Sequence, residues 1–108
     1  MTLSDMFAHK LRALGERITP RDIYDIWFFL QNRTEINAEI VQLRTGMSVS
    51  EYAQQCAVKV RSYRSRMLMQ GLGEVLLDNQ SKNFAREQLI PEAASALELF
   101  ALCPLIAK

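Results

Sequence analysis

KLRALGERITPRDIYDIWFFL, Lys10 to Leu30, holds the charged residues of this chain that fall where a helix should be apolar. An α-helix turns about 100° per residue. A helix over residues 4–16 would gather Leu3, Met6, Phe7, Leu11 and Leu14 on one face, the 3/4 spacing of a buried stripe. Lys10 lies inside that stripe, between Met6 and Leu14. Arg17, seven residues on, projects from nearly the same face if the helix persists. A solvated lysine would sit opposite, with Asp5, Arg12 and Glu16, so Lys10 points at whatever this helix packs against.

The second half of the stretch mirrors the first. Thr19 is a good N-cap, and Pro20 stands at N1, where its missing N–H costs nothing. Ile23, Ile26, Trp27 and Leu30 make one apolar face, and Tyr24, Phe28 and Phe29 cover most of the rest. A helix apolar nearly all round is buried on several sides. Asp22 and Asp25, three apart, share a face flanked by Ile26 and Phe29. Arg21 and Asp25 stand at i, i+4 and can pair. Acids in a first turn also suit the helix dipole, an explanation that fits Asp22 better than Asp25.

An unpaired buried charge costs several kcal/mol, so Lys10, Arg17 and Arg21 are expected to meet Asp22 and Asp25 in a cleft. Two readings of such a cluster stand: a buried ion-pair group that fixes the angle between two helices, or a site. If it is sealed and structural, loss of Asp25 should cost about 3 kcal/mol or more.

Working outward, the chain has 108 residues, a normal globular balance and a net charge of +1. That predicts one domain with a modest core and no global steering toward nucleic acid or membrane. No apolar run approaches the ~20 residues of a membrane span. The opening MTLSDMFAHK lacks the basic start and apolar core of a signal peptide. Cys56 and Cys103 are far apart and have no metal-ligand spacing with His9, the single histidine. Small core cysteines in a reduced, cytoplasmic setting are the expectation.

Ser4 is a candidate cap for the first helix, and Gly15 a weak point near its end. The second helix should run from Pro20 to Gln31 or Asn32. Residues 35–45 read as a shorter helix burying Ile36, Ile40 and Leu43 and ended by Gly46. Ser48 or Ser50 caps a long helix to about Gln70, with Ala53, Cys56, Ala57, Val60, Tyr63 and Met67 inward; with Ser48, Glu51 completes a capping box. Gly71 and Gly73 read as a helix stop, since a lone GLG after a helix is no phosphate-binding fingerprint. Glu74 to Leu77 suggests one short turn. Ser81 caps the next segment, Pro91 breaks or restarts it, and Glu92 to Leu102 closes the domain before Pro104 and a fraying tail. Nothing alternates with period 2, so the predicted fold class is all-α, a single-domain bundle of five or six helices over residues 1–108. Arg61, Arg64 and Arg66 form the densest basic patch, readable as a phosphate contact or as a solvated helix face.

The ordered set Lys10, Ala13, Leu14, Arg17, Arg21, Asp22, Tyr24 and Asp25 resembles a signature of the AbiEii/AbiGii nucleotidyltransferase toxins, enzymes of abortive phage infection and toxin–antitoxin systems. The match covers about twenty residues, roughly a fifth of the chain. The resemblance implies transfer of a nucleoside monophosphate from an NTP to an acceptor such as an RNA 3′ end. In that family a preceding α/β domain carries a Gly-Ser turn and paired acids for nucleotide and divalent metal. This chain shows no Gly-Gly-Ser and no Asp-x-Asp. It is therefore expected to be the C-terminal helical part of such a protein, without turnover alone; Mg2+ and NTP are implied for an intact parent. Implied partners are the missing N-terminal domain or subunit, a cognate antitoxin and an RNA acceptor, with no membrane. By the same resemblance Lys10 holds a triphosphate oxygen, Asp22 orients or deprotonates the acceptor hydroxyl or helps hold a metal, and Asp25 seconds it. Arg17 and Arg21 neutralise phosphate charge or hold the acids. Two other readings remain: a non-catalytic helical module that binds protein or RNA, and an antitoxin-like regulator with an exposed apolar groove. The first reading needs Lys10 and Asp22 to converge at a surface open on one side; the interaction module expects them sealed.

Overall fold

The computed structural model describes residues 2–64, 67 and 79–107. Among these residues are six helices and no strand. They are α1 (Leu3–Glu16), α2 (Pro20–Gln31), α3 (Ala38–Thr45), α4 (Val49–Arg61), α5 (Asn79–Glu87) and α6 (Leu89–Leu102). The expectations for the 71–73 glycines, the 74–77 turn and Arg66 fall outside the described residues.

Local chemistry sets most helix ends. Thr19 Oγ1 accepts from the Asp22 amide at 3.2 Å, with Pro20 at the first helical position. Asn37 caps α3, and Gly46 ends it in the left-handed region at φ 71°, where a side chain would be strained. Ser48 caps α4, its hydroxyl meeting both the amide and the carboxylate of Glu51. Other ends differ from expectation. Thr2, not Ser4, caps α1. Ser81 lies inside α5 instead of capping it. Helix α4 stops at Arg61, well before Gln70. Pro91 sits in the first turn of α6, where the N–H it lacks would have had no intrahelical partner.

All six helices feed one apolar core. Helix α4 packs most extensively on α6, while α1 lies against α2, α3 and α4. Phe7, Leu11, Leu14, Ile23, Ile26, Ile36, Val41, Val60, Leu89 and Leu97 are fully buried. Each such side chain contributes about 1.5–3 kcal/mol of burial. The α1 stripe is rotated slightly from the one-helix reading: Leu3 is 62% and Met6 41% exposed, and Ala8 is buried in their place. Leu43 is exposed as well, and Val41 fills its core position. Cys103 is exposed and only Cys56 is a core thiol.

The tail is pinned, not frayed. The Ile36 amide donates to Leu105 O at 2.7 Å, and the Ala107 amide to Ile36 O at 2.8 Å. This isolated parallel bridge anchors the chain end to the segment before α3.

Candidate functional site

Helices α1 and α2 form a hairpin, and one aromatic contact sets how they face. The Phe7 ring stacks on Phe29, centroids 5.1 Å apart and planes within 11°. Such a pair adds about 0.5–1.5 kcal/mol beyond its burial. Lys10 stands one turn beyond Phe7 on α1; Asp25 and Asp22 stand one and two turns before Phe29 on α2. Because α2 runs back along α1, closing the stack brings the ammonium to the acids. Lys10 Nζ lies 3.2 Å from Asp22 Oδ1 and 3.1 Å from Asp25 Oδ2.

The cluster is not sealed. The side chains of Lys10, Asp22 and Asp25 retain 36%, 14% and 30% of their exposure. Partial burial pulls the Lys10 pKa down, but hydrogen bonds to Asp25 and Asp22, with their charge, outweigh it and raise the pKa above the ordinary lysine value. Lys10 is therefore a firm cation at neutral pH. Two carboxylates against one ammonium leave the group net negative. A hollow opens beside it, lined by Met6, His9, Lys10, Ala13 and Asp22.

The two arginines do not join. Helix α1 ends at Glu16, and Arg17 continues it in extended backbone at φ −150°, its side chain exposed. That break turns Arg17 off the Lys10 face. Arg21 is also exposed, on the outer side of α2. Neither forms an ion pair with a described residue, so the expected pairing of Arg21 with Asp25 is replaced by Lys10. Arg61 pairs with Glu98 at 2.7 Å, which ties α4 to α6 at the surface. Reading the stretch for charge alone passed over Met6, His9 and Ala13 as lining. The signal was present: they stand at −4, −1 and +3 from Lys10, around one patch of helix surface.

The described residues gather no group of three or more His, Cys, Asp or Glu side chains able to hold a metal ion. Asp22 and Asp25 are both engaged by Lys10. Two carboxylates are the number that commonly hold Mg2+ when waters and substrate phosphates complete its shell, and here both are taken up by the Lys10 ammonium. No helix of the described residues is long and apolar enough to cross a membrane.

A family model described as nucleotidyl transferase AbiEii toxin, type IV toxin–antitoxin system, matches residues 1–100. No curated protein and no solved structure matches the chain.

Proposed function

The chain belongs to the nucleotidyl transferase AbiEii toxin family, and we propose from that premise that it forms the helical wall of a nucleotidyl-transfer cleft. The other wall, an α/β half with the Gly-Ser turn and paired acids, comes from a preceding domain or a separate subunit. The chain by itself does not turn over. The observation that carries this reading is the convergence of Lys10, Asp22 and Asp25 at a surface left half open.

Nucleotidyl transfer depends more on positioned charge than on covalent help from the protein. The acceptor hydroxyl oxygen forms a bond to the α-phosphorus, the bond from that phosphorus to the bridging oxygen breaks, and pyrophosphate leaves. Lys10 supplies the point charge for a triphosphate oxygen. To do so it leaves one of its carboxylates. Asp22, released by that exchange, orients the acceptor hydroxyl and accepts its proton, with Asp25 keeping the ammonium in place. Arg17 and Arg21, exposed outside the cluster, are left to meet phosphates of the incoming strand, for which an RNA 3′ end is the acceptor that best fits. We assign any divalent metal to the paired acids of the other half, as the resemblance implies, with Asp22 able to help hold it.

Membership of a type IV toxin–antitoxin family points to an antitoxin as counterpart. Phage defence in the cytoplasm is the setting we assign. A non-catalytic interaction module is the second reading, favoured by the direct pairing of Lys10 with both acids, which would also suit a purely structural ion pair.

The test uses the full gene product containing both halves, with α-labelled NTP and total RNA. Lys10→Ala is expected to leave the fold intact and to abolish label transfer, by a factor of 100 or more, on the order of the larger losses for one catalytic charge. Undiminished transfer would remove Lys10 from the mechanism. Transfer by the 108-residue chain alone would overturn the two-wall reading.

A further inference from the structure

The hollow beside Lys10 has a volume of about 320 Å3, at the small end of ligand sites. We propose that it takes the nucleobase of the nucleoside triphosphate whose phosphates meet Lys10, with His9 and Met6 as the residues that hold the base. The proposal rests on the nucleotidyl-transfer reading above and adds a subsite to it.

The lining offers both kinds of surface that a nucleotide presents. A thioether, an imidazole and a methyl group stand beside the charges of Lys10 and Asp22. A bare phosphate or pyrophosphate would gain nothing from the apolar wall. A nucleotide brings a planar, weakly polar end and an anionic end on one frame. Thioethers and imidazoles both make favourable contacts with flat π-systems.

Exposure supports the same assignment. Met6 is 41% exposed although α1 buries Phe7, Ala8, Leu11 and Leu14 without it. The core makes little use of that side chain, and its free surface borders the charged cluster. Met6, His9 and Ala13 also share one rigid helix with Lys10, so the spacing between base wall and phosphate charge depends on no loop. A wall that works by stacking discriminates weakly among bases. All four NTPs are expected to bind within several-fold of one another.

The experiment titrates the 15N-labelled chain, with Mg2+ present, with ATP, CTP or inorganic tripolyphosphate, and follows amide shifts. ATP and CTP are expected to move residues 6, 9 and 13, and tripolyphosphate to move residues 10, 22 and 25 alone. His9→Ala and Met6→Ala should each weaken ATP about tenfold and leave tripolyphosphate unchanged. Neither side chain is in the buried core, and circular dichroism verifies the fold of both variants. ATP binding unchanged in both variants, while Lys10→Ala weakens both ligands, overturns the base subsite and leaves the phosphate site standing. Tripolyphosphate binding that survives Lys10→Ala overturns the underlying reading and the subsite with it, and no binding of any ligand to the wild-type chain overturns the subsite as a property of this chain.

Discussion

Helix α1 meets α4 along one side and α2 along another, and the two contacts are made of different chemistry. Against α4, side-chain donors close on backbone carbonyls in the last turns of α1. Tyr52 Oη donates to Arg12 O at 2.7 Å, and the Cys56 thiol to Leu11 O at 3.7 Å. The Lys59 ammonium, a cation at the negative end of the α1 dipole, reaches Gly15 O. Tyr52 and Cys56 are buried. Against α2, an ammonium and two carboxylates meet half in water. The first contact is made by donors that satisfy backbone carbonyls and holds no carboxylate. The second could be replaced by apolar residues at little cost to the fold. Partly exposed charge of that kind is what the proposed site requires.

If that contrast is right, the largest loss of stability comes from the α4 side. Gly15 lies against the Tyr52 phenol, and a Cβ built there would overlap the ring. Both partners are buried, so neither can swing away freely. Gly15→Ala is expected to cost about 3 kcal/mol, the upper range for overpacking, lowering the melting temperature by some 10 °C or more. A change of a few tenths of a kcal/mol would show the α1–α4 contact to be loose and remove the contrast.

The intermediate effect is alkaline. Burial pushes the Tyr52 phenol to about 12, the neighbouring Cys56 and Glu16 adding to it, and burial pushes the Cys56 thiol to about 12 against the pull of Lys59. Both groups keep their protons longer folded than unfolded. Their contribution is whole below the ordinary values of 9.0 for the thiol and 10.0 for the phenol, and is lost as pH rises toward about 12. Urea midpoints should therefore fall across that window. Tyr52→Phe should cost about 1 kcal/mol at neutral pH, through the lost bond to Arg12 O, and should flatten the upper part of the alkaline fall. An alkaline profile identical to wild type would mean that Tyr52 does not titrate as a buried group.

Legibility followed the same division. Thr19 with Pro20, Ser48 with Glu51 and Gly46 act within a few residues, so their helix ends could be read directly. The meeting of Lys10 with Asp22 and Asp25 could be read because both helices are short, adjacent and strongly patterned. What needed the third dimension was missed. Gly15 reads as a breaker along the chain, yet its role is to admit Tyr52, thirty-seven positions away. Ile36 reads as part of a helix face, yet it bridges to the tail through Leu105 and Ala107. Leu3 and Met6 left the predicted stripe because the partners of α1, not its own wheel, decide which flank is covered. Arg17 left the cluster because α1 ends at Glu16, next to the weak point read at Gly15, and does not persist to carry it.

The smallest stability effect belongs to the site, and there it is the most informative. Had the cluster been sealed, Asp25→Ala would cost about 3 kcal/mol or more. With Lys10 and Asp25 each about one-third exposed and Asp22 still paired, the expected cost is about 0.5–1 kcal/mol. The cost should shrink further near 1 M salt, which screens the exposed pair, whereas the Gly15→Ala cost should not. The lysine itself reports the change. Its raised pKa means that the pair stabilises the fold fully below the ordinary value of 10.5 and loses that contribution as pH rises through the folded value. Removing one carboxylate brings the folded value down, so the variant should lose less at high pH than wild type does. A salt-independent loss near 3 kcal/mol would put the α2 contact in the same class as the α4 contact. The cluster would then be a structural pin, and the cleft it borders would have no claim on a triphosphate.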